Sequence, residues 1–134
     1  MRGRILAPGT ASGAALRLDE PLSLWGGLDP ATGRVIDPHH PRRGDELSGR
    51  VLLMRAARGS SSSSSVLAEA VRSRHAPAAI LLGEPDLILA VGSVVAAELY
   101  GRRVPVLVLP PTELAEIGEG EPVAVHDDGE VVLG

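Results

Sequence analysis

The sequence contains no cysteine, lysine, asparagine, glutamine or phenylalanine, and Trp25 and Tyr100 are its only aromatic residues. Without cysteine there can be no disulfide, no thiol nucleophile and no thiolate-held zinc or iron–sulfur site on this chain. Two aromatics cannot build a base-stacking platform for nucleic acid. The basic residues are all arginine, they form no run longer than Arg42-Arg43 or Arg102-Arg103, and the net charge is −4. No nucleic-acid partner is therefore expected. No stretch approaches the roughly 20 apolar residues of a membrane span. Met1 to Leu6 lacks the apolar core of a secretory leader. These absences together predict a cytoplasmic chain with no membrane association.

What remains is 134 residues, 44% of them apolar and almost all of those aliphatic. That length suits one domain, residues 1–134, with a sizeable core. The apolar pattern predicts an α/β fold with a central, mostly parallel sheet. Arg4 to Ala7 and Gly13 to Leu18 read as strands, and Pro21 to Trp25 as an extension of the second or the start of a third. Val51 to Met54, Ala78 to Leu82 and Val104 to Leu109 are continuous apolar runs of the kind found in strands covered on both faces. Between them, Ser62 to Ser73 and Leu87 to Tyr100 have helical patterning, the second with Asp86 as N-cap and Gly101 as C-cap. Its small residues Gly92, Ser93, Ala96 and Ala97 suggest close packing on a sheet. Pro110 to Glu116 starts a short helix, and Val123–Val125 with Val131–Leu133 form a closing hairpin across Asp127-Asp128-Gly129.

Residues 26–49 are rich in Gly, Pro, Asp and Arg and poor in apolar periodicity, a length of irregular chain that is uncommon inside a domain. Trp25 is expected to anchor its start, and Gly33 to Asp37 to form a short strand. His39 and His40 lie on a proline-flanked loop and are expected to be solvated rather than metal-ligating.

The strongest chemical signal is Arg58-Gly59-Ser60-Ser61-Ser62-Ser63-Ser64-Ser65, placed where a buried strand hands over to a helix. The first amides of a helix lack intrahelical partners, and its dipole favours negative charge there. Gly59 permits backbone conformations closed to other residues. Arg58 can grip a carboxylate or phosphate with two parallel bonds. Ser60, Ser61 and Ser62 can donate to an anion or cap the helix, and a serine alkoxide stabilised by nearby dipoles can take a proton from carbon. One serine suffices for capping, so a merely over-capped helix is the competing account. The stretch lacks the Gly-Lys-Ser/Thr ending of a triphosphate-binding loop. Nothing in the sequence places His75 or His126 beside Ser60. Glu84-Pro85-Asp86 falls at the end of a predicted strand, where α/β sheets hold ligands, although capping is the simpler role.

Several segments, in order, resemble the small subunit or swivelling domain of the aconitase X family of hydro-lyases: Leu22-Ser23-Leu24-Trp25-Gly26-Gly27-Leu28-Asp29-Pro30, Gly33-Arg34-Val35-Ile36-Asp37, Arg58-Gly59-Ser60-Ser61-Ser62, Ala76-Pro77-Ala78-Ala79-Ile80 and Glu84-Pro85-Asp86. The resemblance implies a swivelling β/β/α domain and a dehydratase acting on phosphomevalonate or cis-3-hydroxyproline, small hydroxy acids. It implies that this chain binds no cofactor and that a large partner subunit carries an iron–sulfur cluster and most substrate contacts. It also implies a heteromer whose isolated small chain is inactive. Ser60 would then be the catalytic base, with Arg58, Gly59, Ser61 and Ser62 holding the substrate's carboxylate or phosphate and the later serines capping the helix. The sequence departs from the family at Arg55, where proline is usual, and at Ala57, where glycine is common.

Two other classes compete. A phosphohistidine-type mobile carrier domain would need a histidine at the start of a helix, and none occurs between Ala76 and Leu109. A non-catalytic anion-binding module would leave Ser60 and Arg58 dispensable.

Overall fold

Strands that alternate two apolar faces can serve two cores at once, because successive side chains point to opposite sides of a sheet. In the computed structural model, which describes residues 1–134, the chain opens with strands β1 (Arg4–Ala7) and β2 (Ala11–Leu18). A single distorted turn, α1 (Leu24–Gly27), leads to a small ribbon of β3 (Leu28–Asp29) and β4 (Arg34–Val35). Two βα units follow as β5 (Val51–Met54), α2 (Ser63–Ser73), β6 (Ala79–Leu82), α3 (Leu87–Tyr100) and β7 (Val106–Val108). The short helix α4 (Pro111–Leu114) and the hairpin β8 (Pro122–Val125) and β9 (Val131–Leu133) complete the chain.

The main sheet has the order β1-β7-β6-β5-β2-β8-β9. Its centre, β2-β5-β6-β7, is parallel, with Leu52 paired to Leu16 on one side and Ile80 on the other. β1 joins β7 antiparallel, and β8 joins β2 antiparallel. The two ends of this order meet. Arg2 bridges to Glu130, the Gly3 N–H donates to Gly129 O (2.8 Å) and the Val131 N–H to Met1 O (2.7 Å). The sheet thus curls into a nearly closed ring.

One core fills the ring. Val51, Leu53, Leu81 and Leu107 point into it, with Val125 and Ile117 helping to close it. The other lies between the outside of the ring and the helices, where Leu52, Met54, Ile80 and Leu82 meet Leu67, Val71 and Leu89. The residues of β5 and β6 divide between the two cores in strict alternation, which is why these strands read as uninterrupted apolar runs.

Asp86 caps α3, its carboxylate accepting the Leu89 N–H at 2.9 Å, and Gly101 ends the helix in the left-handed region. The small residues of α3 serve two neighbours, the sheet, as the sequence suggests, and α2. A Cβ on Gly92 would lie 2.8 Å from Ser64 O, so Gly92 lets α3 close on the first turn of α2. Ser93 donates to the Val104 carbonyl, and Ala96 is buried with Ala7 and Val106. α2 ends without glycine: Arg74 takes φ 68°, and the His75 N–H closes on Ala70 O at 2.9 Å.

Three expectations for the early part of the chain need correction. Pro21 to Trp25 is not a strand. The turn α1 forms there because the Leu28 N–H reaches back to Leu24 O, with Gly26 at φ 79°. The Trp25 side chain is not the anchor, since the residue is 60% exposed, and Leu22, Leu24 and Leu28 are buried in its place. His40 is buried, not solvated. Its ring bonds to Glu20 O (3.0 Å) and accepts the Arg42 N–H (3.1 Å), while His39 stays exposed.

The segment 26–49 is held by backbone bonds, Val35 N–H to Asp45 O (2.9 Å) and Leu47 N–H to Gly33 O (2.7 Å) among them, and by ion pairs. Arg34 donates to Gly44 O (3.0 Å) and faces Glu46, and Arg42 pairs with Asp45 (3.0 Å) and Glu119 (2.9 Å). Glu119 also receives Arg50 (3.2 Å) and the Arg17 N–H (2.8 Å). Partial burial works against its ionisation, but the Arg17 amide and the guanidinium groups of Arg42 and Arg50 outweigh it and hold the carboxyl below its ordinary range.

Candidate functional site

Parallel strands in α/β sheets end on the side where ligands collect. The loop after β5 leaves on that side, as do Gly83 to Asp86 after β6. Gly59 sits at φ 119°, and a side chain there would collide with the Ser23 hydroxyl and come within 2.8 Å of Ser23 Cβ. Glycine is therefore required both by conformation and by space. Ser23 Oγ in turn donates to Trp25 O (3.0 Å), and Ser63, which is buried, accepts the Trp25 N–H (3.2 Å). The turn α1 and the serine loop are thus held together where Gly59 packs on Ser23 and where Trp25 bonds to Ser63.

The result is a small cavity of about 50 Å³ lined by Arg58, Gly59, Ser60 and Ser63 from the loop, Leu22 and Leu24 from the α1 side, and Asp86, Ile88 and Leu89 from the start of α3. Ser60 is half-buried, and its hydroxyl oxygen accepts the Ser62 N–H at 3.1 Å. That bond, together with the N-terminus of the eleven-residue helix α2 close by, favours a negatively charged oxygen at this position. Arg58 is exposed and forms no ion pair, in contrast to Arg34, Arg42 and Arg50.

Of the five residues singled out from sequence, Arg58, Gly59 and Ser60 line the cavity. Ser61 is exposed, and its carbonyl accepts Ser64 Oγ at 2.9 Å. Ser62 contributes its amide, and as N-cap of α2 its side chain makes no capping bond. The cap-like bond comes from Ser60, two residues earlier, and Ser63 is spent on Trp25, so the later serines do not cap α2 as expected. Asp86 serves both as cap and as cavity wall. The remaining histidines lie elsewhere: His75 follows the far end of α2 near Ser48 (3.4 Å), and His126 is exposed beside the β8–β9 turn. A wider cleft of about 240 Å³ opens at the ends of β2 and β5, with Arg17, Asp19, Met54, Arg55 and Leu114 in its wall. No three His, Asp or Glu side chains converge as a metal site, and no helix is long and apolar enough to cross a membrane.

The chain is 52% identical over 106 residues to a cis-3-hydroxy-L-proline dehydratase of Pseudomonas aeruginosa, an alignment covering 79% of this chain and 18% of that protein. It is 31% identical over 132 residues to the phosphomevalonate dehydratase small subunit of Thermococcus gammatolerans, covering 98% of this chain and 95% of that one. The crystal structure of Thermococcus kodakaraensis aconitase X in its holo form superposes with a TM-score of 0.87 at 30% identity, covering 99% of this chain and 96% of the matched chain. The chain thus spans about a fifth of the length of the hydroxyproline dehydratases it matches, and nearly the whole of the small subunit. The family model for the aconitase X swivel domain matches residues 1–133, and the chain belongs to the aconitase X swivel-domain family.

Proposed function

We propose that this chain is the small, swivelling part of an aconitase X-type dehydratase, completing an active site whose larger share lies on a partner subunit. The observation that carries this reading is the size and content of the Ser60 cavity. About 50 Å³ admits one or two waters but not a hydroxy acid. A polarised serine and an unpaired arginine at the mouth of a cavity too small for a substrate make half a site. The other half must come from outside the chain.

In this reading Ser60 Oγ removes the proton from the carbon next to the substrate's carboxylate. The C–H bond breaks, an O–H bond forms on Ser60, and the released electron pair becomes the new C=C bond as the hydroxyl leaves the neighbouring carbon. The Ser62 amide and the α2 N-terminus lower the energy of the serine alkoxide that must precede this step. Arg58 pairs with the substrate's carboxylate or phosphate. Departure of the hydroxyl belongs to groups on the partner. The family implies an iron–sulfur cluster in the enzyme, and the residues here do not fit one, since the chain has no cysteine and no converging carboxylates or histidines. The cluster is assigned to the large subunit. The substrate is phosphomevalonate or cis-3-hydroxyproline, the compounds named in the relatives.

Co-expression with the large subunit encoded by the same genome should yield a heteromer that dehydrates one of these two compounds, while the isolated chain is inactive. Ser60→Ala should lower kcat by about 10²–10⁴-fold with assembly and melting temperature unchanged. Full activity in that variant would leave a non-catalytic anion-binding module as the better account.

A further inference from the structure

Helix α3 is apolar around its whole circumference. Of its fourteen residues, Leu87 to Tyr100, only Glu98 is charged. One side is spent on Leu89, Ala90, Gly92, Ser93 and Ala96, which are buried against α2 and the sheet. The other side carries Leu87, Val91, Val94, Val95 and Leu99, all exposed, with Leu87 at 70% and Leu99 at 65%. Their spacing of i, i+4, i+7, i+8 and i+12 is that of one continuous helical stripe. Six of the ten large apolar side chains exposed anywhere on the protein, Tyr100 among them, lie on this single helix. Helices apolar on all sides are normally enclosed, and a contiguous exposed apolar stripe of this kind marks an interaction surface.

We propose that the outer stripe of α3 is the surface on which the large dehydratase subunit docks. This rests on the reading of the chain as the small part of such an enzyme. Two observations select that occupant. In the hydroxyproline dehydratases the same module forms 18% and 21% of one long chain, whereas in the Thermococcus small subunit it fills 95% of a separate chain. A module that stands alone must be held to the remainder by its surface, and α3 carries more of the exposed large apolar side chains than any other element. The stripe is also continuous with the half-site: Leu87 lies between Asp86 and Ile88, both of which line the Ser60 cavity. A partner seated on α3 therefore reaches the mouth of that cavity. The curled sheet offers no comparable route, because its two ends are joined to each other.

The test uses the purified chain and the large subunit from the same genome, titrated by isothermal calorimetry. Val91→Glu/Leu99→Glu places two carboxylates on the stripe at exposed positions, so circular dichroism should match the unsubstituted chain. The expected result is binding at least about 100-fold weaker, because both charges would be buried without partners. The milder Val91→Ser should weaken binding about 10-fold and covers the case in which the double variant fails to fold. Val132→Glu, on β9 away from the stripe, should bind as the unsubstituted chain does. Unchanged affinity in a folded double variant overturns this proposal alone. No binding by the unsubstituted chain removes the assignment of a large partner as well. A chain that dimerises by itself, loses its dimer through the double substitution and still binds the large subunit normally would make a second copy the occupant, which also overturns the proposal.

Discussion

In residues 26–49, Arg34 and Arg42 each face a carboxylate, and Arg42 shares Glu119 with Arg50. In the loop after β5, Arg55 and Arg58 stand exposed, and neither forms an ion pair. Both stretches are irregular, both contain glycines in the left-handed region, and both begin or end on the same central strand. Yet the first pairs two of its three arginines with carboxylates and leaves only Arg43 free, while the other leaves a cation, a polarised hydroxyl and a small cavity unsatisfied. Composition does not separate a structural loop from a candidate site. What separates them is whether polar groups already have partners.

Arg58 should therefore behave unlike Arg42. With the large subunit present, Arg58→Ala is expected to raise KM about 10–100-fold with little change in melting temperature, since it loses no partner within the chain. An unchanged KM in steady-state kinetics would place the anion elsewhere. Gly59→Ala should do something intermediate. Forcing a side chain into a φ of 119° and against Ser23 costs about 1–3 kcal/mol of stability, seen as a lower denaturation midpoint, and it pulls Ser60 from its place. The two variants together ask whether activity follows charge or loop shape.

The smallest effect belongs to the structural stretch. Because the folded protein holds the Glu119 carboxyl below its ordinary range, the charged form contributes stability at neutral pH, and that contribution is lost as pH falls through the lowered value. Glu119→Gln should cost no more than about 1 kcal/mol at pH 7, given how exposed the group is. It should also flatten the acid limb of the stability curve below the usual carboxylate range. Thermal melts from pH 3 to 7 would show this, and an acid limb as steep as before would mean that other carboxylates govern it. Dehydratase activity should be untouched.

The strand–helix alternation from Val51 to Leu109 was legible because each strand must cover two cores, which leaves no polar position to interrupt it. The caps at Asp86 and Gly101 were legible because those residue types solve a local backbone problem. The serine corner could be located for the same reason, but its internal bonding could not. Six consecutive serines are chemically equal in the sequence, and only tertiary neighbours give Ser63 to Trp25 and leave Ser60 in the cavity. Trp25 misled because size predicts burial on average, whereas this indole projects outward. His40 misled because its neighbours are polar in sequence, while its bond partner is the distant carbonyl of Glu20. Closure of the sheet left little trace, since its bonds are made by backbone groups of Met1, Gly3, Gly129 and Val131; only the glycines hint at it, a side chain at Gly129 coming within 2.7 Å of Gly3 O.

That closure bears on how the domain can meet other molecules. An open sheet ends in a row of unpaired N–H and C=O groups onto which any extended chain can crystallise, including another copy of itself. Here the seam between Met1–Gly3 and Gly129–Val131 occupies those groups. Strand addition, the least selective form of protein association, is thereby blocked at that seam. Recognition is left to the helices and strand-end loops, where shape and side-chain chemistry can discriminate between a proper partner and a passing one.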